Sequence, residues 1–364
     1  MYEHSEIKVR LLSLYLERYL NVLNQSSYTS DVNIYDLFCS EGIYDNGGKG
    51  SPICILEIIK GIYEENIKRG KTGKFNCLFN DNDVNKIAKL KASVKMLELH
   101  SSAMGSLDYG EKEYKDILDD VLNDIRGFQS KKGFIFIDPY GYKEIQVKDI
   151  KALLKSKKTE VLLFLPTQFM FRFEKNGTPK CLKDFIAELL PSEEWPNSNT
   201  GLSFIDTLKD AFRKSIGREY FVDSFIITRD KNQFFCLFFF TSHIYGFDRM
   251  LDAKWKIDEE EGRGWNFEDE TLFSQVEKTP NTMKFERNLV EFLRAGDRTN
   301  SEIYVFTLQN GHLPKHATQV LIKLQNDNKL AVTTKNGGIA RKGSFYINYK
   351  DYKSDSNKIK VKLK

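Results

Sequence analysis

Asp31-Val32-Asn33-Ile34-Tyr35-Asp36-Leu37-Phe38-Cys39-Ser40-Glu41-Gly42 is the stretch on which the fold turns. Val32, Ile34, Leu37 and Phe38 supply the apolar members of a strand over 31–39, which runs out into small and acidic loop residues. A glycine-rich segment follows. Ser51-Pro52 then starts a helix to about Glu64, with serine expected as its cap and proline in its first turn. The strand, loop and helix recur downstream. Phe75 to Asn80 reads as a second strand, Asp81-Asn82-Asp83 as its turn, and a helix follows from about Val84. Leu97 to Ala103 is a weak third strand, Tyr114 to Phe128 a helix, and Gly133-Phe134-Ile135-Phe136-Ile137 a strong fourth strand ending on Asp138-Pro139. Val147 to Leu154 is a helix and Glu160 to Leu165 a fifth strand. Residues 166–217 read as an irregular, partly helical insertion, and 220–228 with 233–241 as a hairpin. An amphipathic helix over 7–23 precedes the whole series. Strands that alternate with helices imply a parallel sheet with crossover helices, and near-continuous apolar strands fit a sheet covered on both faces.

A chain of 364 residues is comfortable for two domains, and 41% hydrophobic residues are enough for a sizeable core. The longest apolar run, Phe234 to Phe240, is too short to cross a bilayer, and the start Met1-Tyr2-Glu3-His4 carries no secretory signal. No membrane association and a cytoplasmic location are expected. Five scattered cysteines with no CxxC pair argue against a disulfide framework or a zinc site, and no metal is expected. The net charge of +4 is uneven. Residues 281–364 carry 16 Lys and Arg against 7 Asp and Glu, a net of +9, which leaves the rest at −5. Only the C-terminal part is built for a polyanion.

Ligands of open α/β sheets bind outside the carboxyl ends of the strands, and three segments fall there. The first, Asp36 to Gly42, has an acid, an aromatic and small residues in the manner of a first S-adenosylmethionine (AdoMet) loop. Asp36, Phe38, Cys39, Ser40, Glu41 and Gly42 are its candidate contacts. The second gives Asp81 as an acceptor for ribose hydroxyls, with Asp83 capping the next helix. The third, Asp138-Pro139-Tyr140, has the order of an amino methyltransferase motif. There the Asp side chain and the Pro carbonyl accept hydrogen bonds from an exocyclic amine, and the ring stacks on the base. That chemistry needs positioning more than a strong base. A nicotinamide enzyme would show GxGxxG in the first turn, which is absent. Lys49, beside a helix start, and Arg172, past the fifth strand, are candidate substrate contacts.

The same segments carry a family resemblance. His4-Ser5-Glu6-Ile7-Lys8, Asp36 to Gly42, Gly48-Lys49-Gly50-Ser51-Pro52, Phe136 to Tyr142, Arg172-Phe173 and Met250 to Lys256 together resemble the three-Cys-motif partner (TcmP) family over roughly residues 4–275. The resemblance implies a Rossmann-like class I methyltransferase fold and a separate three-Cys-motif protein as partner. Cys39-Ser40-Glu41 stands where relatives tend toward Ala-Gly-Pro. Gly105-Ser106 stands where Gly-Asp is common, so an adenine contact would fall to Ser106. Asp-Pro-Tyr-Gly resembles guanine-N2 methyltransferases of tRNA as much as adenine enzymes.

Residues 282–348 read as a winged helix. Its third helix, opened by Leu313-Pro314, is expected to expose Lys315, His316, Thr318, Gln319 and Lys323. Its wing pairs 330–334 with 344–348 and carries Lys335, Arg341 and Lys342, all suited to groove and phosphate contacts, with a protein partner as the competing reading of such a module. The expected domains are 1–280, 281–350 and a basic tail at 351–364. The expected function is AdoMet-dependent methylation of an exocyclic amine of a DNA or RNA base. The alternative is a non-catalytic, regulatory methyltransferase-like subunit that binds a nucleotide cofactor and recruits a three-Cys-motif partner.

Overall fold

The computed structural model describes residues 3–26, 28–70, 73–139, 145–168, 180–189, 201–230, 233–266 and 278–364. They divide into two compact units, one drawn from residues 1–243 and 264–274 and the other from 244–263 and 275–364.

In the first unit, β1 (Asp31–Asp36), β2 (Lys74–Asn80), β3 (Leu107–Gly110), β4 (Lys132–Ile137), β5 (Thr159–Leu165), β6 (Phe221–Asp230), β7 (Gln233–Thr241) and β8 (Gly264–Asn266) form one sheet. The order is β3-β2-β1-β4-β5-β7-β6-β8. β1 to β5 pair in parallel, and β7 runs antiparallel between β5 and β6. This is a mixed α/β, Rossmann-like sheet dominated by parallel pairing. It is flanked by α1 (Glu3–Asn24), α2 (Ser51–Lys68), α3 (Val84–Met96), α4 (Tyr114–Arg126) and α5 (Val147–Leu154). Every residue of β5 is buried, as a central strand covered on both faces requires.

The chain departs from the sequence reading at three places here. The third strand lies at Leu107–Gly110 and not at 97–103. Gly105 passes so close to β2 that an added Cβ would lie 2.1 Å from the Phe75 carbonyl oxygen, and the chain joins the sheet only beyond it. The expected insertion contains a helix, Gly201–Ile216, whose Phe204, Ile205, Leu208 and Phe212 belong to the sheet's own core. Ser51 does not cap α2. Gly50 holds the cap position, and the Ser51 side chain is hydrogen-bonded to Asp36.

The second unit builds its core from the helices Ile244–Ile257, Met283–Arg294, Asn300–Gln309 and Pro314–Asn326, with β9 (Arg298–Thr299), β10 (Leu330–Thr334) and β11 (Ile359–Leu363). Against the expected boundary at 280, the helix Ile244–Ile257 packs with this unit. Tyr304 Oη donates to Asp248 at 2.7 Å, Trp255 Nε1 donates to the Gly311 carbonyl at 2.9 Å, and the Tyr245 and Tyr349 rings stack at 4.1 Å. The wing partner of β10 is β11, not 344–348, and β11 also pairs β9. The expected basic tail therefore supplies the central strand of this small sheet, with Ile359 and Val361 buried and Lys360 and Lys362 exposed. His316, expected on the surface, is fully buried with its ring 4.3 Å from that of Trp255.

A buried acid sits inside the first unit. Glu160, on β5, accepts hydrogen bonds from Tyr15 Oη and, at 2.7 Å, from Thr241 Oγ1. Burial pushes its carboxyl up to about 7, against the lowering effect of those two hydroxyls. An acid raised in the folded state binds its proton more tightly there than in the unfolded chain. Its stabilising effect is complete below the unfolded value and is lost as pH rises through the folded one. Urea unfolding midpoints should therefore fall between about pH 5 and about pH 8. Glu160→Gln, which keeps an acceptor and adds a donor for the hydroxyls, should flatten part of that slope. An unchanged slope would show that Glu160 titrates normally.

Candidate functional site

The parallel register gathers the candidate acids. Asp36 ends β1 opposite Phe79 of β2 and Phe136 of β4. Two residues beyond those partners stand Asp81 and Asp138, so three carboxylates emerge at the carboxyl ends of three adjacent strands.

Their partners differ. Asp81 is buried. Its Oδ2 accepts from the Ser40 backbone N–H at 3.1 Å and its Oδ1 from that of Asp83 at 3.0 Å, with Lys86 Nζ at 3.4 Å. Asp138 is ion-paired to Lys8 of α1, whose ammonium also lies 4.7 Å from the centre of the Phe164 ring. Asp36 is fully buried. Its Oδ1 accepts from the Phe38 N–H at 3.3 Å, while its Oδ2 has no hydrogen-bond partner. Burial first, and the charge of Asp138 further down, push the Asp36 carboxyl up to about 7, although the Ser51 hydrogen bond pulls the other way. The middle acid of the three thus lacks a full set of donors.

The loop after β1 is fixed by close backbone contacts. Cys39 N–H donates to the Asn80 carbonyl at 2.8 Å, and Gly50 N–H to the Gly42 carbonyl at 2.6 Å. Ser40 and Gly42 have φ of +57° and +80°. A Cβ at Gly42 would meet Leu90 Cδ1 at 2.5 Å, so glycine is required on conformation and on space.

The other sequence candidates fall as follows. Phe38 stacks on Tyr114 with centroids 5.5 Å apart, which ties the first loop to α4. Glu41 is paired to Lys89 at 2.7 Å, and the exposed Lys49 to Glu57 at 2.6 Å. Ser106 precedes β3 at the amino end of that strand and donates its N–H to Asn76 Oδ1 at 2.9 Å. It therefore lies at the opposite edge of the sheet from Asp36. The carboxyl end of β3 is Gly110, opposite Asn80, and the acid that follows is Glu111, paired to Lys91 at 3.1 Å. Pro139 follows Asp138 at the end of β4. Tyr140, Arg172 and the His4 side chain lie outside the described residues.

One residue escaped the sequence reading. Gln168, just past β5, is buried with its Oε1 unpartnered. Only its place beyond a strand's carboxyl end could have marked it. Lys8, which the sequence offers either as a residue closing over the cofactor pocket or as a cap of the first helix, pairs with Asp138, a partner that nothing in the sequence marks. In the second unit Lys315, Gln319, Lys323, Lys335, Arg341 and Lys342 are all exposed, and Lys323 is paired to Glu286 at 2.8 Å. Among the described residues no group of three or more His, Cys, Asp or Glu is placed to hold a metal, and no helix is long and apolar enough to cross a membrane.

A family model described as a GMT-like wHTH domain matches residues 256–337. No curated protein matches the chain. Among solved structures the chain is similar to a protein of Legionella pneumophila str. Philadelphia 1, at 14% identity over 68% of this chain and 89% of that one, TM-score 0.40. It is also similar to the methyltransferase domain of bacterial CtHen1-C, at 14% identity over 64% and 98%, TM-score 0.31. A third is the bifunctional kinase-methyltransferase WbdD, at 11% identity over 65% and 39%, TM-score 0.32.

Asp81 holds two loop N–H groups, so Asp81→Ala should destabilise the first unit by about 1–3 kcal/mol, the cost of stranding buried donors. Denaturant unfolding measures this directly. A variant as stable as the parent would mean that the loop N–H groups find other acceptors.

Proposed function

We propose that the chain is an AdoMet-dependent methyltransferase that acts on an exocyclic amine of a nucleic-acid base, with the first unit doing the chemistry and the second docking DNA or RNA. The observation that carries this reading is the side-by-side placement of Asp36 and Asp138 at the carboxyl ends of β1 and β4.

The residues present fit the cofactor. A buried carboxyl group with a free oxygen suits a cationic amine, and the Gly42 turn suits close approach of backbone to a ligand. When bound, AdoMet supplies a methyl group on a cationic sulfur. In this reading Asp36 faces its ammonium, the backbone of 38–42 lines it, and Glu111, in place of Ser106, stands at the strand end where an adenine contact falls. Asp81 braces the first loop and offers remaining lone pairs to the ribose hydroxyls.

Asp138 is the acceptor for the target amine. Lys8 holds its Oδ2, which leaves Oδ1 to accept an N–H and fixes the carboxylate's orientation. The Pro139 carbonyl takes the second N–H, and Tyr140 stacks on the base. Such a base must leave a duplex stack or come from a single strand. The Lys8–Asp138 pair also favours a second reading, in which the acceptor is permanently occupied and the chain is a regulatory subunit that recruits a three-Cys-motif partner.

Two outcomes test this. Asp138→Ala should lower radiolabelled methyl incorporation into nucleic acid by orders of magnitude while AdoMet affinity barely changes. Full activity of the variant would reduce the motif to a turn, and an inactive parent, partner present, would favour the regulatory reading. The second outcome concerns protons. A bound cation favours ionised Asp36, so AdoMet binding at about pH 6.5 should release a proton. Calorimetry in buffers of different ionisation enthalpy should detect the release in the parent and not in Asp36→Asn.

A further inference from the structure

The second unit has a cleft of about 440 Å³ between the wing turn and the segment that leads into β11, and its wall includes Lys335, Asn336, Arg341, Tyr346, Asn357 and Lys358. Three cations, a tyrosine and two carboxamides thus face one cleft.

The cations are not equivalent. Lys358 is paired to Asp351 at 2.6 Å, and its ammonium lies 4.7 Å from the centre of the Tyr346 ring. Lys335 and Arg341 are exposed and have no ion-pair partner among the described residues, unlike Lys323 and Lys329 of the same unit. Tyr346 sits between buried Phe345 and Ile347, keeps 40% of its surface exposed, and adopts φ +53°, a conformation costly for a residue with a side chain. Unmatched positive charge and an exposed ring with an ammonium over one face are the groups that one nucleotide needs. Its phosphate takes the cations and its base takes the open ring face.

We propose that this cleft binds one unpaired nucleotide of a single-stranded nucleic acid, with the phosphate on Lys335 and Arg341 and the base stacked on Tyr346. The proposal rests on the reading of the second unit as a nucleic-acid binder and is independent of methyl transfer. It makes the wing a reader of unpaired strands and not only a contact for duplex phosphates.

The test uses the full chain and fluorescent oligonucleotides of one sequence, as single-stranded DNA, single-stranded RNA and duplex DNA. Both single strands should bind more tightly than the duplex. A preference for RNA over DNA, or the reverse, would identify the source of the nucleotide. Tyr346→Ala should weaken single-strand binding by roughly 5- to 100-fold, and Tyr346→Phe should restore most of it. Lys335→Ala and Arg341→Ala, exposed and safe for folding, should each reduce the slope of log affinity against log salt by about one. If the duplex binds as well as the single strands and Tyr346→Ala is silent while Lys315→Ala weakens binding, the cleft is no nucleotide site but the nucleic-acid reading stands. If none of the oligonucleotides binds, both readings fall.

Discussion

Asp36 places a carboxyl group in a fully buried position at the end of β1 and leaves one of its oxygens without a donor. Burying a carboxylate without full compensation is costly, and the group responds by holding its proton up to about pH 7. Much of the local sequence serves this one position. Ser51 gives up a capping role to donate to it, Gly42 and Gly50 bring the loop back over it, and Phe38 turns its backbone N–H inward while its ring leaves for Tyr114. Under the proposed function, this group is the one that meets the cationic amine of the cofactor.

The two flanking acids make the contrast. Asp81 has two backbone donors and Lys86, and Asp138 has Lys8. Each outer carboxylate has a cation beside it, whereas the middle one has a donor on one oxygen and none on the other. Parallel pairing forces this arrangement, because the register that sets Asp36 opposite Phe79 and Phe136 carries Asp81 and Asp138 past the sheet edge together. The charge of Asp138 contributes to raising the Asp36 carboxyl. A cationic ligand relieves the middle acid without disturbing the outer two.

Most of this frame was readable in the amino-acid order, because it rests on local signals. Strand β1, the strand that ends on Asp138-Pro139, and the β6–β7 hairpin each announce themselves by apolar runs with sharp boundaries. What escaped depends on long-range geometry. The third strand is short and begins only after Gly105 has slid against β2, so its placement, and with it the shift from Ser106 to Glu111, needed the neighbour's backbone. Lys8 lies 130 residues before the carboxylate it holds. The segment 359–363 looked like a solvated basic tail because Ile359 and Val361 alternate with lysines, and that period-two pattern is equally the signature of a half-buried strand.

The two units end in complementary states of charge. In the first, an uncompensated carboxyl group faces the carboxyl edge of a parallel sheet, where such folds take their ligands. In the second, Lys335 and Arg341 are left uncompensated around a cleft, although acids such as Glu286, Asp327 and Asp351 neutralise the lysines near them. Two exposed cations that share one cleft suit a ligand that brings its own negative charge. The two proposals thus assign the units ligands of opposite charge, a cationic cofactor for the first and an anionic strand for the second.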